Sequence, residues 1–140
     1  MKSRAGAGPA TGAASIPITI RALRKTYGAQ VAIDHVDLDV ASGEFLTLLG
    51  PSGSGKTTLL MALAGFLRPD AGSLRFGDAE VVRTPPHKRD VGMVFQNYAL
   101  FPHLDVAGNV AYPLKLRRVP AAYIARRVEA ALAMVKLEGY

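Results

Sequence analysis

A glycine-rich segment, Gly50–Thr58, constrains the fold more than any other part of the sequence, because of what lies on either side of it. Before it, Phe45–Leu49 is a short apolar run with no polar alternation, which is typical of a strand buried on both faces. After it, Lys56–Phe66 is rich in the helix formers Leu, Ala and Met, and Gly65 followed by Pro69 marks the end of that helix. A strand, a glycine-rich loop and a buried helix predict a βα unit of an α/β domain.

Other segments predict further strands. Apolar and polar residues alternate in Ile18–Arg21 and again in Val36–Val40, which favours two antiparallel strands with one solvated face. The turn between them is predicted at Tyr27–Gln30. Gly72–Phe76 and Val91–Phe95 are also predicted as strands, and the second of these is continuous and buried like the run before the glycine-rich loop.

A helix is predicted near the end of the sequence. Pro120 is suited to its first turn, and the helical pattern extends to about Leu137. Four apolar residues at helical spacing predict its buried face: Ile124, Val128, Leu132 and Val135.

Composition limits the classes of protein that this chain could belong to. Of its 140 residues, 49% are hydrophobic and 20% are charged, which excludes wholesale disorder. The absence of cysteine excludes disulfides and thiolate metal sites, and no apolar run approaches the roughly 20 residues that cross a bilayer. The net charge of +6 suits phosphates, nucleic acid or a lipid surface without choosing among them. Residues 1–15, rich in glycine and alanine, predict a flexible N-terminal arm before a domain that spans residues 16–140.

The glycine-rich segment also predicts a phosphate-binding site, because it matches the pattern G-x-x-x-x-G-K-[ST]. Backbone N–H groups of such a loop, together with the following helix N-terminus, surround a phosphate with donors. Lys56 would place its ammonium at the β- and γ-phosphates, and Thr57 would offer its hydroxyl to Mg²⁺. The residues predicted to bind the cofactor here are Gly50, Pro51, Ser52, Gly53, Ser54, Gly55, Lys56, Thr57 and Thr58.

The simpler alternative is a glycine turn before a helix that happens to contain Lys-Thr. The predicted strand before the loop and the predicted helix after it favour the phosphate site.

The chain resembles a known family in two motifs. Gly50–Thr58 together with Val91–Leu104 closely resembles the ATP-hydrolysing subunits of ABC transporters, in particular bacterial importers for polyamines, ferric iron, maltose and related solutes. The similarity extends from about Ile18 to Leu137. It implies an α/β P-loop NTPase core of the ABC ATPase type with an N-terminal antiparallel β subdomain, and it implies ATP and Mg²⁺ as ligands. Asn109–Leu114 favours the polyamine-like or iron-like members.

The resemblance assigns roles to further residues. Tyr27 matches the aromatic residue that stacks on adenine, with Val31 near the nucleotide, although a tyrosine at a strand end could instead pack on the sheet. Gln96 matches the glutamine that contacts Mg²⁺ and the attacking water, so Lys56 and Gln96 are the implied catalytic residues. Tyr98–Leu104 matches the surface that receives a helix of the membrane subunit, and core packing is the alternative for this apolar stretch.

The resemblance also implies partners and a location. The expected partners are a second ATP-binding subunit in a head-to-tail dimer and transmembrane permease subunits. Nucleic acid is not expected as a partner. The expected location is cytoplasmic, peripheral on the inner face of the plasma membrane and in contact with it only through the permease.

The sequence departs from the family because it ends at Tyr140. The family's Leu-Ser-Gly-Gly-Gln capping segment, the strand that ends in Asp-Glu and the later switch histidine are missing from it. We therefore expect an incomplete core that binds nucleotide without turning it over, because in-line phosphoryl transfer needs those groups. The alternatives are a truncated, non-hydrolysing nucleotide-binding module and another kind of P-loop NTPase.

Overall fold

A computed structural model describes residues 15–139, which form two compact units that meet in sequence between Met93 and Val94. The predicted arm, except for Ser15, lies outside the described residues. Among residues 15–139, no helix has the length and apolar character that crossing a bilayer requires.

A four-stranded antiparallel sheet dominates the first unit. Its strands are β1 (Ile18–Tyr27), β2 (Gln30–Val40), β3 (Ala71–Phe76) and the short β4 (Ala79–Glu80), in the order β2-β1-β3-β4. The first two strands are joined by a tight turn in which Gly28 has a positive φ of 58°. The predicted antiparallel pair and its turn are confirmed.

The core of the first unit lies between one face of this sheet and helix α1 (Lys56–Ala64). Alternation in the strands places apolar side chains on a single face, and burial of each large one contributes about 1.5–3 kcal/mol. The helix ends at Gly65, as predicted, in a left-handed conformation with φ of 84°. The buried core residues are Ile20, Leu23, Ile33, Leu59, Ala62, Leu74 and Val81.

Two predicted strands are not present. Phe45–Leu49 and Val91–Phe95 have no regular secondary structure and do not belong to the sheet. Their side chains are largely exposed: Phe45 by 83%, Leu49 by 89% and Val94 by 90%. A strand that is apolar on both faces needs neighbouring strands and cover on each side, and residues 15–139 supply these to neither segment.

The second unit is a pair of helices, α2 (Val106–Leu116) and α3 (Ala121–Met134), which share a small core. The first of them was not predicted, because Gly108 and Pro113 both disfavour a helix interior. Its sequence signal is Asp105, whose carboxylate caps the helix by accepting a 2.6 Å hydrogen bond from the backbone N–H of Gly108.

Helix α3 follows the prediction except at its C-terminal end. Pro120 is its N-cap residue, and Val128 and Leu132 are buried in the core of the second unit. The prediction for Val135 is wrong, because the helix ends at Met134 and Val135 is 63% exposed.

Candidate phosphate-binding site

The glycine-rich loop adopts a conformation that requires glycine at two positions. Gly53 and Gly55 have φ of 80° and 86°, in the left-handed region that side chains rarely adopt. Gly55 also lies against β2, where a Cβ would collide with the carbonyl oxygen of Ala32. The sheet and the loop are therefore in direct backbone contact at the residue before α1.

The N-terminus of α1 is electrostatically suited to an anion. Its N-cap is Gly55, which has no side chain to accept the first backbone N–H groups, and no acidic residue lies in its first turn. The aligned peptide dipoles place about half a positive charge at this end. Thr57, in the first turn, is exposed.

The ammonium of Lys56 is held by the loop itself. Its Nζ donates to the carbonyl oxygens of Gly50 at 2.8 Å and Pro51 at 2.6 Å, and to Oγ of Ser54 at 2.9 Å. These three bonds fold the side chain back across the loop and hold the positive charge against it.

A cavity of about 370 Å³ opens between this loop and the end of the β1–β2 hairpin. Tyr27, which is 52% exposed, lies in its wall, so the structure brings this residue and the loop together. Of the predicted cofactor-binding residues, those that line this cavity are Tyr27, Ser52, Gly53, Ser54, Gly55, Lys56, Thr57 and Thr58.

The other predicted contacts lie elsewhere. Gly50 and Pro51 line a second cavity of about 540 Å³, which shares Lys56 with the first. Val31 does not line the first cavity, whereas its neighbours Gln30 and Ala32 do. Alternation along β2 explains this difference, since successive side chains point to opposite faces. The sequence signal for Gln30 is its place at the end of the turn predicted at Tyr27–Gln30.

A network around Asp70 fixes the end of β1 beside Tyr27. The carboxylate accepts hydrogen bonds from Nζ of Lys25 at 2.8 Å and from the backbone N–H and Oγ of Thr26 at 2.7 and 2.8 Å. These hydrogen bonds lower the pKa of Asp70 from 3.8 to about 2, and the bond from Lys25 has the largest effect. The same ammonium lies 5.6 Å from the centroid of the Tyr27 ring, at cation–π distance.

The residues of this site fit a magnesium–triphosphate better than a metal held by protein alone. Within residues 15–139, no group of three or more His, Cys, Asp or Glu side chains is arranged to hold a metal ion. Mg²⁺ in phosphate sites commonly uses one or two protein oxygens together with substrate phosphates. The hydroxyl of Thr57 is suited to that role.

Gln96 and the segment Tyr98–Leu104 belong to the second unit. Gln96 is exposed and begins a turn in which Tyr98 and Ala99 have φ of 59° and 52°. Tyr98 and Leu100 are 77% and 68% exposed, so these apolar side chains are not core residues among the described part of the chain.

Asn109 of α2 organises that segment. Its Oδ1 accepts from the backbone N–H of Phe101 at 2.9 Å, and its Nδ2 donates to the carbonyl oxygen of Leu104 at 3.0 Å. The Phe101 ring lies 4.3 Å from that of Tyr112, centroid to centroid. In the sequence, Asn109 only indicates a subgroup of the family, and no local pattern predicts these hydrogen bonds.

Comparison with known protein families matches residues 33–140 to the family described as ABC transporter. The chain belongs to the ABC transporter family. A solved structure described as a dimeric post-hydrolysis state of the ATP-binding cassette MJ0796, bound to ADP and Pi, shares the fold with a TM-score of 0.77. It is 28% identical, and the match covers 87% of this chain and 58% of that one. The predicted fold class, an ABC ATPase core with an antiparallel β subdomain, is confirmed.

Curated relatives of this ABC-family chain are import proteins. It is 51% identical over 123 residues to the "Spermidine/putrescine import ATP-binding protein PotA" of Marinobacter nauticus, covering 88% of this chain and 33% of that protein. It is 50% identical over 125 residues to the "Sulfate/thiosulfate import ATP-binding protein CysA" of Mycolicibacterium paratuberculosis, covering 89% and 34%. The chain thus spans about a third of the length of these relatives.

Proposed function

We propose that this chain binds ATP–Mg²⁺ through the loop Gly50–Thr58, as the nucleotide-binding portion of a subunit that energises solute import. The observation that carries the proposal is the shared cavity: the loop, the N-terminus of α1 and the Tyr27 ring all line it. A triphosphate needs the donors of the loop, and a base needs an aromatic face within reach of them. The family and the curated import relatives support the same function.

The bound Mg²⁺ would neutralise charge on the triphosphate. Lys56 would exchange its hydrogen bonds to the loop for bonds to phosphate oxygens, and Thr57 would offer its hydroxyl to the metal. Tyr27 would orient the base. Val31 would contact the nucleotide from outside this cavity, and Gln96 would hold the metal and orient water.

Loss of the Lys56 ammonium tests the phosphate site. Lys56→Ala should weaken binding of a fluorescent ATP analogue about 10- to 100-fold, since a charge-assisted hydrogen bond contributes about 1.5–3 kcal/mol. Lys88→Ala, which removes an exposed lysine from a turn at Pro86–Lys88, is the matched control and should bind like the unchanged chain. Equal affinities of the two variants would show that the loop is not the site.

Tyr27→Ala tests the base contact. Affinity for ATP should fall, while affinity for inorganic triphosphate should stay nearly unchanged because that ligand has no base. Tyr123→Ala, at a residue that is 50% exposed in the second unit, serves as the control. A parallel loss for both ligands would mean that the ring has only a structural role.

The 140 residues alone are proposed to bind nucleotide without hydrolysing it. The residues lining the cavity include no carboxylate, which is the group expected to orient and deprotonate an attacking water. Phosphate release by this chain should equal that of Lys56→Ala. Turnover that depends on Lys56 would contradict this proposal.

In a longer chain that does hydrolyse ATP, Gln96→Ala should lower the rate of hydrolysis more than it lowers the affinity for ATP.

The proposed transport role concerns polyamine-like solutes, with a permease as the partner at Tyr98–Leu104 and a second ATP-binding subunit as the other partner. The first curated relatives import spermidine and putrescine by their names, but a sulfate/thiosulfate import relative is almost as similar. Uptake of labelled spermidine and of labelled sulfate by cells with and without the intact gene distinguishes them. If only sulfate uptake requires the intact gene, the polyamine assignment is wrong. Binding of this subunit to the cytoplasmic face of the permease would place it at the inner surface of the plasma membrane.

A further inference from the structure

Arg89 is the one buried charged side chain within residues 15–139, with 6% of its surface exposed. Its hydrogen bonds all go to backbone carbonyl oxygens. Nη1 donates to Ala62 at 2.6 Å and Leu63 at 2.8 Å, Nε donates to Thr84 at 2.8 Å, and Nη2 donates to Val82 at 3.4 Å. The guanidinium therefore joins the last turn of α1 to the segment that follows β4.

The position is electrostatically favourable in spite of burial. Desolvation lowers the pKa of Arg89 below its usual range. The C-terminal end of α1 carries about half a negative charge, and its last carbonyl groups have no partner within the helix. The planar guanidinium has five N–H donors and can reach acceptors in two segments at once, whereas a lysine ammonium is too compact to bridge both segments.

Gly65 makes room for this side chain. A Cβ at residue 65 would lie 2.6 Å from Nε and 2.9 Å from Cζ of Arg89. The glycine that ends the helix is thus also the surface on which the guanidinium lies.

These contacts fix α1 at both ends. Gly55 lies against the backbone of β2 at the N-terminal end, and Arg89 holds the C-terminal end, about 13 Å away along the nine-residue helix. We propose that Arg89 is a positioning residue for phosphate binding, which keeps the N-terminus of α1 and its amides aimed into the cavity. This inference rests on the proposed ATP site, although Arg89 does not line that cavity.

Arg89→Lys tests it while keeping the charge. The full 140-residue chain with this change should bind inorganic triphosphate and the fluorescent ATP analogue about tenfold more weakly, both to the same extent, because the helix end meets phosphate and not base. The matched control is Arg83→Lys, an exposed arginine in the same connecting segment, which should leave both affinities unchanged. Thermal midpoints measured with and without saturating ligand separate affinity from stability.

A merely structural role predicts a different result. The midpoint would fall for Arg89→Lys, but affinity of the folded protein would be unchanged, and that outcome overturns the proposal. If the unchanged chain binds no triphosphate, the proposed ATP site fails as well. If Lys56→Ala weakens binding and Arg89→Lys does not, only the inference about Arg89 fails.

Gly65→Ala provides a second route in case Arg89→Lys does not fold, as judged by loss of amide hydrogen-exchange protection in β1. The added Cβ pushes the guanidinium out of its position, although residue 89 itself is still arginine. The affinity for triphosphate should therefore fall again. If the double variant of Gly65→Ala and Arg89→Lys folds, its fold-loss of triphosphate affinity should be smaller than the product of the two single fold-losses, because both substitutions act on one contact. Full affinity in Gly65→Ala, or independent losses in the double variant, would contradict the proposal.

Discussion

The β1–β2 hairpin and the segment Phe45–Leu49 are both predicted as strands from their sequence, yet only the hairpin strands lie in a sheet. The hairpin alternates apolar and polar residues, and its buried side chains, such as Ile20 and Leu23, have no exposed surface. Phe45–Leu49 has little alternation, and Phe45 is 83% exposed. The more apolar of the two segments is thus the one that lies outside the sheet.

The difference lies in how much cover each pattern requires. A strand with one apolar face is satisfied by a single packing partner, and α1 supplies that partner to the hairpin. A strand with two apolar faces needs cover on both, together with strand neighbours in the plane of the sheet. Val91–Phe95 has the same requirement and the same outcome in the part of the chain that the structure describes.

The largest expected effect comes from leucine truncation in the two regions. Leu74→Ala in β3, where the side chain is fully buried, should lower the free energy of unfolding by about 2–5 kcal/mol through a cavity in the core. Leu49→Ala, at a residue that is 89% exposed, should change it by no more than about 0.5 kcal/mol. Urea unfolding followed by circular dichroism measures both. Equal losses would mean that the 45–49 segment is packed in solution.

Exposed apolar surface gives the next effect. Phe45→Lys and Val94→Lys should each reduce the fluorescence of a dye that binds apolar surface, by about a third to a half, and should reduce association between molecules. Thr47→Lys adds the same charge at an exposed polar residue of the first segment and serves as the control. Similar reductions in all three variants would show that charge alone, rather than removal of an apolar patch, is responsible.

The smallest expected effect is on the pH dependence of stability, and it comes from Asp70 beside the sheet. Because the pKa of Asp70 is lowered to about 2 in the folded chain from 3.8, its ionised form stabilises the fold above pH 4. That contribution should be lost as the pH falls from about 4 through 2. Asp70→Asn should therefore lower the thermal midpoint at pH 7 but not at pH 2.

The control for that experiment is Asp78→Asn, in the turn after β3. The change in midpoint between pH 7 and pH 2 should be larger for Asp70→Asn than for this control. A midpoint for Asp70→Asn that stays equally low at pH 2 would contradict the assigned carboxylate network.

Local patterns predicted the parts of the fold that local physics controls. Alternation identified the β1–β2 hairpin, and Gly65 identified the end of α1, because a left-handed cap there needs glycine. The loop and Lys56 could be predicted from one motif. The position of Tyr27 in the same cavity came from family resemblance, since no local rule relates a strand end to a loop so far along the chain.

Other features depend on contacts that sequence patterns do not encode. Phe45–Leu49 was predicted as a strand because its composition is right, but pairing depends on neighbours elsewhere. No helix was predicted at α2, which contains Pro113, a residue that disfavours a helix interior; its local helix signal is the N-cap Asp105. No sequence motif singles out Arg89, and only the structure shows its carbonyl partners.

The three bonds from Lys56 to its own loop make ligand binding an exchange reaction rather than a simple gain. An incoming anion must replace two carbonyl oxygens and a hydroxyl, so a weak acceptor such as chloride offers the ammonium less than the loop already does. Only a ligand with several closely spaced, strongly charged oxygens improves on that arrangement. On the proposed function, the loop would select against small monovalent anions by competition, before any recognition of the rest of the ligand. Calorimetry should then show a smaller heat of binding than the number of new bonds suggests.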